Sequence, residues 1–246
     1  MMRLLVATAA LAALPLAGQA ADLGAPRTPV AAAIAAPAFS WSGFYVGADI
    51  GYWTSSTNVY LPGPTFNGSP NPQGIKLGAH LGYRHQYANN VVVGIEGDLS
   101  WLGGTFREAT MAGSLNLWRV RATWDGSLRA TLGYALDRAL IYTTGGVSLI
   151  ESRGCAINAP GTACVIPGVD LGGTRVGWTV GAGLAYAISP NVSVRGEYLY
   201  ANYGTRNYPT PGLVGGVTSY RLDTHTFRLG VSYTFSAGPS AVVARY

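Results

Sequence analysis

The sequence has few charges, and beyond its first residues it lacks an apolar run long enough for a membrane helix. Charged residues make up 11% of the chain, whereas soluble domains average about 25%. Yet 48% of the residues are hydrophobic and the mean hydropathy is +0.21. A transmembrane helix needs about 20 consecutive apolar residues. The apolarity must therefore be spread over alternating segments, which is typical of membrane-spanning strands.

The sequence also lacks the marks of several functional classes. It has two cysteines and three histidines, and no two histidines have the spacing of metal ligands. It contains neither a nucleotide-binding loop nor a haem-attachment motif, so no cofactor or metal is expected. The net charge of +5 is spread along the chain without a basic run, which argues against a nucleic-acid partner.

The N-terminus predicts export. Arg3 precedes a short apolar segment, and Gly18-Gln19-Ala20 has the small residues of a cleavage site. The apolar segment is too short for a membrane helix, so residues 1–20 are interpreted as a cleaved signal peptide. The Pro- and Ala-rich residues 21–38 are interpreted as a disordered periplasmic leader, with a short plug as the alternative.

The rest of the chain alternates apolar and polar residues, which predicts strands with one apolar face. The last segment has apolar residues at every second position from Phe227 to Phe235. Such a strand cannot be a free edge in a bilayer, because its backbone groups would stay unpaired. We expect it to pair with the first strand and close a barrel. Predicted strands cover residues 41–54, 73–87, 91–102, 118–136, 139–151, 173–188, 192–203 and 221–235.

The connections between these strands alternate between long and short, and outer-membrane barrels show this asymmetry, with long extracellular loops and short periplasmic turns. The sequence therefore predicts an all-β fold: an eight-stranded antiparallel up-and-down transmembrane β-barrel over residues 39–235. Both termini are expected in the periplasm, with residues 236–246 as a short extension. A soluble lipocalin-like barrel, the alternative, would place the apolar residues inside. Only the facing of the fifth strand is ambiguous.

The polar faces of the predicted strands carry most of the charges. An eight-stranded barrel is just wide enough for side chains to fill its lumen, so charges there should form pairs. A continuous water-filled channel, the alternative, would need a wider barrel. The predicted interior network has five acids and seven bases: Asp49, Glu96, Asp98, Asp125 and Glu197, with Lys76, Arg84, Arg121, Arg129, Arg175, Arg195 and Arg228.

Histidines and cysteines supply the remaining candidate sites. Asp223 and His225 suggest an enzyme, because a catalytic histidine needs an acid or a nucleophile beside it. Both fall on the outward parity of the last strand, so the chain is interpreted as non-enzymatic. His80 falls on the inward set and is expected in the polar network. Cys155 and Cys164 lie in one long connection of an exported chain, which predicts a disulfide.

Four segments resemble a known family: WSGFYVGADIGY (41–52), YTTGGVSL (142–149), GWTVGAGLAYAISPNVSVRGEYLY (177–200) and FRLGVSYTF (227–235). The chain is similar to the small outer-membrane β-barrel proteins of alphaproteobacteria, the porin-like surface antigens related to opacity proteins and to the OmpA transmembrane domain. The resemblance covers essentially the whole mature chain and supplies no catalytic motif. It implies that Gly230, Tyr233 and Phe235 form the signal read by the outer-membrane assembly machinery. Eleven residues follow Phe235, so either this signal is internal or the last residue, Tyr246, shares its role.

Three functional hypotheses remain open. The first is a structural outer-membrane protein of a Gram-negative bacterium that stabilises the envelope and displays four surface loops. The second is a narrow porin-like channel for small solutes. The third is a surface adhesin or ligand binder that acts through its loops. Expected partners are outer-membrane lipid and lipopolysaccharide, the assembly machinery during insertion, and, for the third hypothesis, host or surface ligands.

Overall fold

A computed structural model describes residues 39–60, 67–68, 71–104, 107–110, 117–157, 173–209 and 217–235. The predicted signal peptide, leader and C-terminal extension lie outside the described residues. So do Cys164 and the side chain of Cys155, and their disulfide stays a prediction. Within the described part of the chain, no helix has the length and apolarity needed to cross a membrane.

Eight long strands form the wall, and two short ones are added to it. The short ones are β2 (Asn67–Gly68), which pairs with β1, and β5 (Arg107–Thr110), which pairs with β6. The long strands are β1 (Gly43–Tyr60), β3 (Gln73–Gln86), β4 (Val91–Gly104), β6 (Leu117–Leu136), β7 (Ala139–Ile157), β8 (Gly173–Ala187), β9 (Val192–Pro209) and β10 (Val217–Phe235).

Each long strand pairs antiparallel with the long strands before and after it in the chain, and β10 pairs with β1. The closing register runs from Phe44 opposite Phe235 to Tyr60 opposite Ser219. Closure leaves neither end of the sheet unpaired, which is the condition that hydrocarbon imposes on a spanning sheet. The predicted eight-stranded antiparallel barrel is confirmed.

The outer face of the barrel is apolar, and its large aromatic residues form two bands. On β1 the bands are represented by Phe44 and Tyr52, which lie about 26 Å apart along the strand. Strand tilt reduces this to roughly 20 Å, close to the apolar height of outer-membrane barrels. The band near the short turns contains Phe44, Tyr83, Tyr134, Tyr186, Tyr233 and Phe235, and the band nearer the long connections contains Tyr52, Trp101, Trp178, Tyr198 and Phe227.

The strands extend further than predicted at the end of the barrel where the long connections lie. β1 reaches Tyr60, β7 reaches Ile157 and β9 reaches Pro209, six residues beyond each predicted end. Beyond the second aromatic band the backbone ladder continues, but the outward residues no longer need to be apolar. The alternation that locates a strand in the sequence therefore fades before the strand ends.

A bulge in β6 corrects one predicted interior residue. The register shifts between Ala122 and Trp124, so Ala122 pairs with Ser152, and both are buried. Neighbouring residues of a strand face opposite sides. Arg121 therefore lies on the outer face, opposite Arg153, whose side chain is 73% exposed. The prediction that Arg121 joins the interior network was wrong, because a bulge changes the facing of every residue beyond it.

Candidate functional site

The lumen of the barrel is the candidate site, because it gathers the buried charges of the chain. Arg129 and Arg228 are among the largest side chains with less than 2% exposure. Desolvation of a guanidinium costs several kcal/mol unless it is paired and hydrogen-bonded. The partners of these arginines therefore decide what the lumen can do.

Glu96 on β4 is the centre of the network. Its Oε1 accepts from Arg129 Nη2 at 2.6 Å and from Arg228 Nη2 at 3.2 Å. Its Oε2 accepts from the Tyr45 hydroxyl at 2.7 Å and from Arg195 Nη1. One carboxylate thus bridges groups from β1, β6, β9 and β10, across the full width of the barrel.

Two further carboxylates share the same arginines. Glu197 accepts from Arg129 Nη1 at 3.1 Å and from Arg228 Nε at 2.6 Å. Asp98 lies 3.1 Å from Arg129 Nη2 and 3.2 Å from Arg228 Nη1. Each of these two arginines therefore contacts at least three acids, which makes the network a lattice of charges and not a set of separate pairs.

His80 on β3 links the network to the barrel seam. Its Nδ1 lies 3.1 Å from Asp49 Oδ2, and its Nε2 lies 2.8 Å from Ser232 Oγ on β10. Asp49 in turn lies 3.8 Å from Arg228 Nη1. Both ring nitrogens have hydrogen-bonding partners, so His80 belongs to the polar network. Among the described side chains, no group of three or more His, Cys, Asp or Glu could hold a metal ion.

Lys76 and Asp125 form a pair next to this lattice, with Nζ 2.6 Å from Oδ2. A polar cavity beside them is also lined by Ser148 and Tyr203, whose hydroxyls lie 2.8 Å apart. The cavity volume of about 10 Å³ is the space of one water molecule. It is far too small for a solute.

An apolar layer covers the network at the end with the short turns. Trp41, just before β1, is buried there; its indole Nε1 donates to Asp137 O at 3.2 Å and its backbone N to Gln86 Oε1 at 2.9 Å. Arg84 lies between this layer and the charges, with its guanidinium carbon 4.1 Å from the centre of the Tyr45 ring. The layer contains Trp41, Val92, Ala135, Leu140, Tyr142, Ala185 and Ala187, with Phe39 packed against it.

Apolar side chains also follow the charges toward the long connections. Trp53, Leu102, Ile150 and Leu222 are all at most 3% exposed. Trp53, Leu102 and Leu222 lie beyond the network residues of their own strands, and Ile150 pairs with Arg175 of β8. Arg175 is buried at this end, with its guanidinium carbon 4.3 Å from the centre of the Tyr220 ring and a hydrogen bond to Tyr220 O at 3.3 Å. Over the residues that the structure describes, packed side chains occupy the lumen.

Asp223 and His225 lie on the outer face and do not contact each other as a catalytic pair would. His225 Nδ1 lies 2.7 Å from the Tyr198 hydroxyl. Asp223 instead accepts from the Tyr200 hydroxyl and from Arg221 Nε, both at 3.0 Å. The histidine is therefore held by a tyrosine, and the acid by a separate set of donors.

Sequence reasoning missed the aromatic part of the lumen. Tyr45 and Tyr142 are both 3% exposed, yet aromatic residues in barrel strands are expected on the outer, interfacial side. The available signal was parity: Tyr45 falls on the same face of its strand as Asp49.

A closed eight-stranded barrel with an apolar outer face, two aromatic bands and a charged, filled interior defines a small outer-membrane β-barrel protein. Residues 5–235 match the family described as outer membrane protein beta-barrel domain, and the chain belongs to that family.

Among similar proteins, the 25 kDa outer-membrane immunogenic protein of Brucella melitensis is 34% identical over 235 residues, which cover 94% of this chain and 97% of that protein. The 22 kDa outer membrane protein of Rhizobium leguminosarum is 30% identical over 199 residues, 81% of this chain and 80% of that protein. The crystal structure of Neisserial surface protein A aligns with a TM-score of 0.45 and 18% identity, covering 79% of this chain and 98% of that chain.

Proposed function

We propose that the protein is a non-enzymatic structural barrel that stabilises the bacterial outer membrane and displays its long connections as surface loops. The observation that carries this proposal is the filled lumen. Arg129, Arg228 and Glu96 occupy its centre with at most 3% exposure. A barrel of eight strands has no further room for a solute path beside them.

The same proposal places the long connections outside the cell and the termini in the periplasm. Two observations support this orientation. The turns at one end of the barrel are short, as at Asp137-Arg138, and the strands at the other end continue well past the second aromatic band. Relatives in this family are described as immunogenic, and surface display of loops in this protein would agree with that description.

Binding of a host or surface ligand through the loops is the second candidate. The strand extensions favour it, because they hold the attachment points of the loops on a rigid wall. Shortening one long connection while the barrel still folds would separate this candidate from the first. Envelope stability would persist under the structural hypothesis, whereas attachment would be lost under the binding hypothesis.

Planar-bilayer recording of the purified barrel tests the structural hypothesis against the channel hypothesis. Little or no steady conductance is expected, with folding verified by different gel mobilities of unboiled and boiled protein. A large, stable, ohmic conductance from the folded species would overturn the proposal in favour of a porin.

Protease treatment of intact cells tests the orientation. Cleavage in the long connections is expected while a periplasmic marker stays intact. Cleavage only after the outer membrane is permeabilised would show the opposite orientation.

A further inference from the structure

A polar cluster interrupts the apolar outer face on β9 and β10, at the edge nearer the long connections. It contains Tyr198, Tyr200, Arg221, Asp223 and His225. His225 is hydrogen-bonded to Tyr198 at 2.7 Å, Asp223 is bonded to Tyr200 and Arg221 at 3.0 Å, and the rings of Tyr200 and His225 lie 5.2 Å apart. Asn202 Nδ2 also donates to Asp223 Oδ1. We name these six residues the rim cluster. Between the two aromatic bands the exposed large outward residues are Leu, Val, Ile and aromatic. Arg121, Glu151 and Arg153 are further charged residues of the outer face, on β6 and β7.

The rim cluster must lie at the level of lipid headgroups. A carboxylate and a guanidinium are costly to place in hydrocarbon, and the cluster begins where the second aromatic band ends. Tyr198 belongs to that band and packs on Phe227 with ring centroids 4.7 Å apart. The Arg221 side chain is 49% exposed, so its guanidinium is accessible from the membrane side.

An apolar groove lies directly below the rim cluster. Its volume is about 690 Å³, and its lining includes Tyr198 and Phe227 at the cluster end and Gly196, Leu184 and Leu229 further down. Gly196 faces outward between these leucines, and a Cβ added there would meet only Leu229 Cδ2, at 3.5 Å. The groove therefore exists because this outward position carries no side chain.

The chemistry of the cluster is that of a site for a charged sugar. Trp178 and Tyr200, whose ring centroids are 5.5 Å apart, offer aromatic surface for a sugar ring. The Tyr200 hydroxyl donates to the Asp223 carboxylate, and its oxygen can still accept from a sugar hydroxyl. The Asp223 side chain is 11% exposed, so it holds Arg221 and Tyr200 in place and does not itself face the ligand. Arg221 offers the planar donors that match a phosphate. A headgroup held there would place its acyl chains over the groove.

We propose that the rim cluster and the groove together bind a phosphorylated glycolipid of the outer leaflet, with the headgroup on Arg221 and Tyr200 and one acyl chain in the groove at Gly196. The inference rests on the proposed function, because it requires the long connections to face the cell exterior. It adds to that function a defined lipid site on one side of the barrel.

Native mass spectrometry of the detergent-solubilised barrel, titrated with bisphosphorylated lipid A, tests the proposal. Arg221→Ala should raise the dissociation constant about tenfold or more, because a charge-assisted contact to phosphate is lost. Gly196→Val should raise it several-fold by filling the groove. Matched controls are Arg138→Ala at a short turn and Gly97→Val on β4. Gly97 faces outward, and a Cβ added there would meet only Ser127 O, at 3.9 Å. Both variants should change the dissociation constant less than twofold.

Three results would overturn the site. The first is that Arg221→Ala and Arg138→Ala bind bisphosphorylated lipid A with equal affinity. The second is that the parent barrel binds dephosphorylated lipid A as tightly as bisphosphorylated lipid A. The third is that it binds phosphatidylglycerol as tightly as bisphosphorylated lipid A. The last result would show a general anionic-lipid surface. If Arg221→Ala does not fold, Tyr200→Phe and Gly196→Val apply the same test. Binding in detergent does not depend on orientation in the cell, so failure here is distinct from failure of the protease experiment.

Discussion

Removal of Glu96 is the sharpest test of the filled lumen. Four carboxylates (Asp49, Glu96, Asp98 and Glu197) face four guanidiniums (Arg84, Arg129, Arg195 and Arg228) within ion-pair distance in the central lattice. The lattice is therefore balanced in charge. Glu96→Ala leaves one uncompensated positive charge in a space closed at both ends by apolar side chains.

When Glu96 is removed, the arginines around it lose different shares of their acid partners, and this sets the expected cost in the free energy of unfolding. Arg129 and Arg228 keep Asp98 and Glu197 as partners. Arg195 keeps Asp49, at 3.9 Å, and Arg84 loses the acid with which it pairs at 3.7 Å. Breaking a buried ion pair by removal of one partner costs about 3–5 kcal/mol. We expect Glu96→Ala to lower the free energy of unfolding by an amount in that range, with most of the penalty at Arg195 and Arg84.

Urea unfolding in lipid vesicles, followed by tryptophan fluorescence, measures this cost, and a double-mutant cycle with Arg129→Ala isolates the electrostatic part. Each single variant should lose about 3–5 kcal/mol. The double variant restores equal numbers of acids and bases, so its loss should fall short of the sum by about 2 kcal/mol. Ile95→Ala, the lipid-facing neighbour on β4, is the control and should cost less than about 1 kcal/mol.

An unchanged unfolding midpoint in Glu96→Ala would refute the reasoning, since it would mean that water reaches the lattice and replaces the lost carboxylate. Strict additivity in the double variant would refute it as well, because it would show that the two groups do not interact. Either result, together with conductance of the parent barrel, would favour an open channel.

Three further predictions concern assembly, the disulfide and packing at the seam. Replacement of Tyr233 and Phe235 by Asp should block insertion but not secretion, because both face lipid and a charge there costs up to a few kcal/mol; a heat-modifiable outer-membrane species of this variant would contradict the prediction. Mass spectrometry of the exported protein should find Cys155 and Cys164 joined, and two free thiols would contradict it. Gly47→Ala should lower the unfolding midpoint strongly, because its Cβ would overlap the Val231 carbonyl and the His80 ring; a midpoint like that of the parent would disprove the close approach.

The sequence was sufficient to predict the barrel, because the membrane imposes the same pattern on nearly every strand. β10 shows this: its outward Phe227, Leu229 and Val231 are all more than 50% exposed, and Arg228 between the first two is buried. Period-two alternation is strongest where one face meets lipid and the other meets charge, so strand number and order follow from it.

The facing of β7 could not be predicted, for a physical reason. Its inward residues include Leu140, Tyr142 and Ile150, each at most 3% exposed, and its outward residues include the apolar Ile141, Val147 and Leu149. The apolar layers that close the two ends of the lumen thus remove the contrast between the faces of this strand. Arg121 was misplaced for a related reason, since no sequence signal announced the bulge beyond which the facing changes.

The central charges penalise incorrect strand pairing more strongly than an apolar lumen would. A slip of one residue turns each side chain of a strand to the opposite face. For β4 such a slip would expose Glu96 and Asp98 to lipid, where a basic residue near the midplane costs about 2–4 kcal/mol and an acidic one somewhat less. It would also leave Arg129 and Arg228 without those acids inside the barrel. A slip of two residues keeps the facing but moves each charge about 7 Å along its strand, beyond ion-pair distance. The lattice that fills the lumen thereby selects one register among those that the apolar outer face alone would accept.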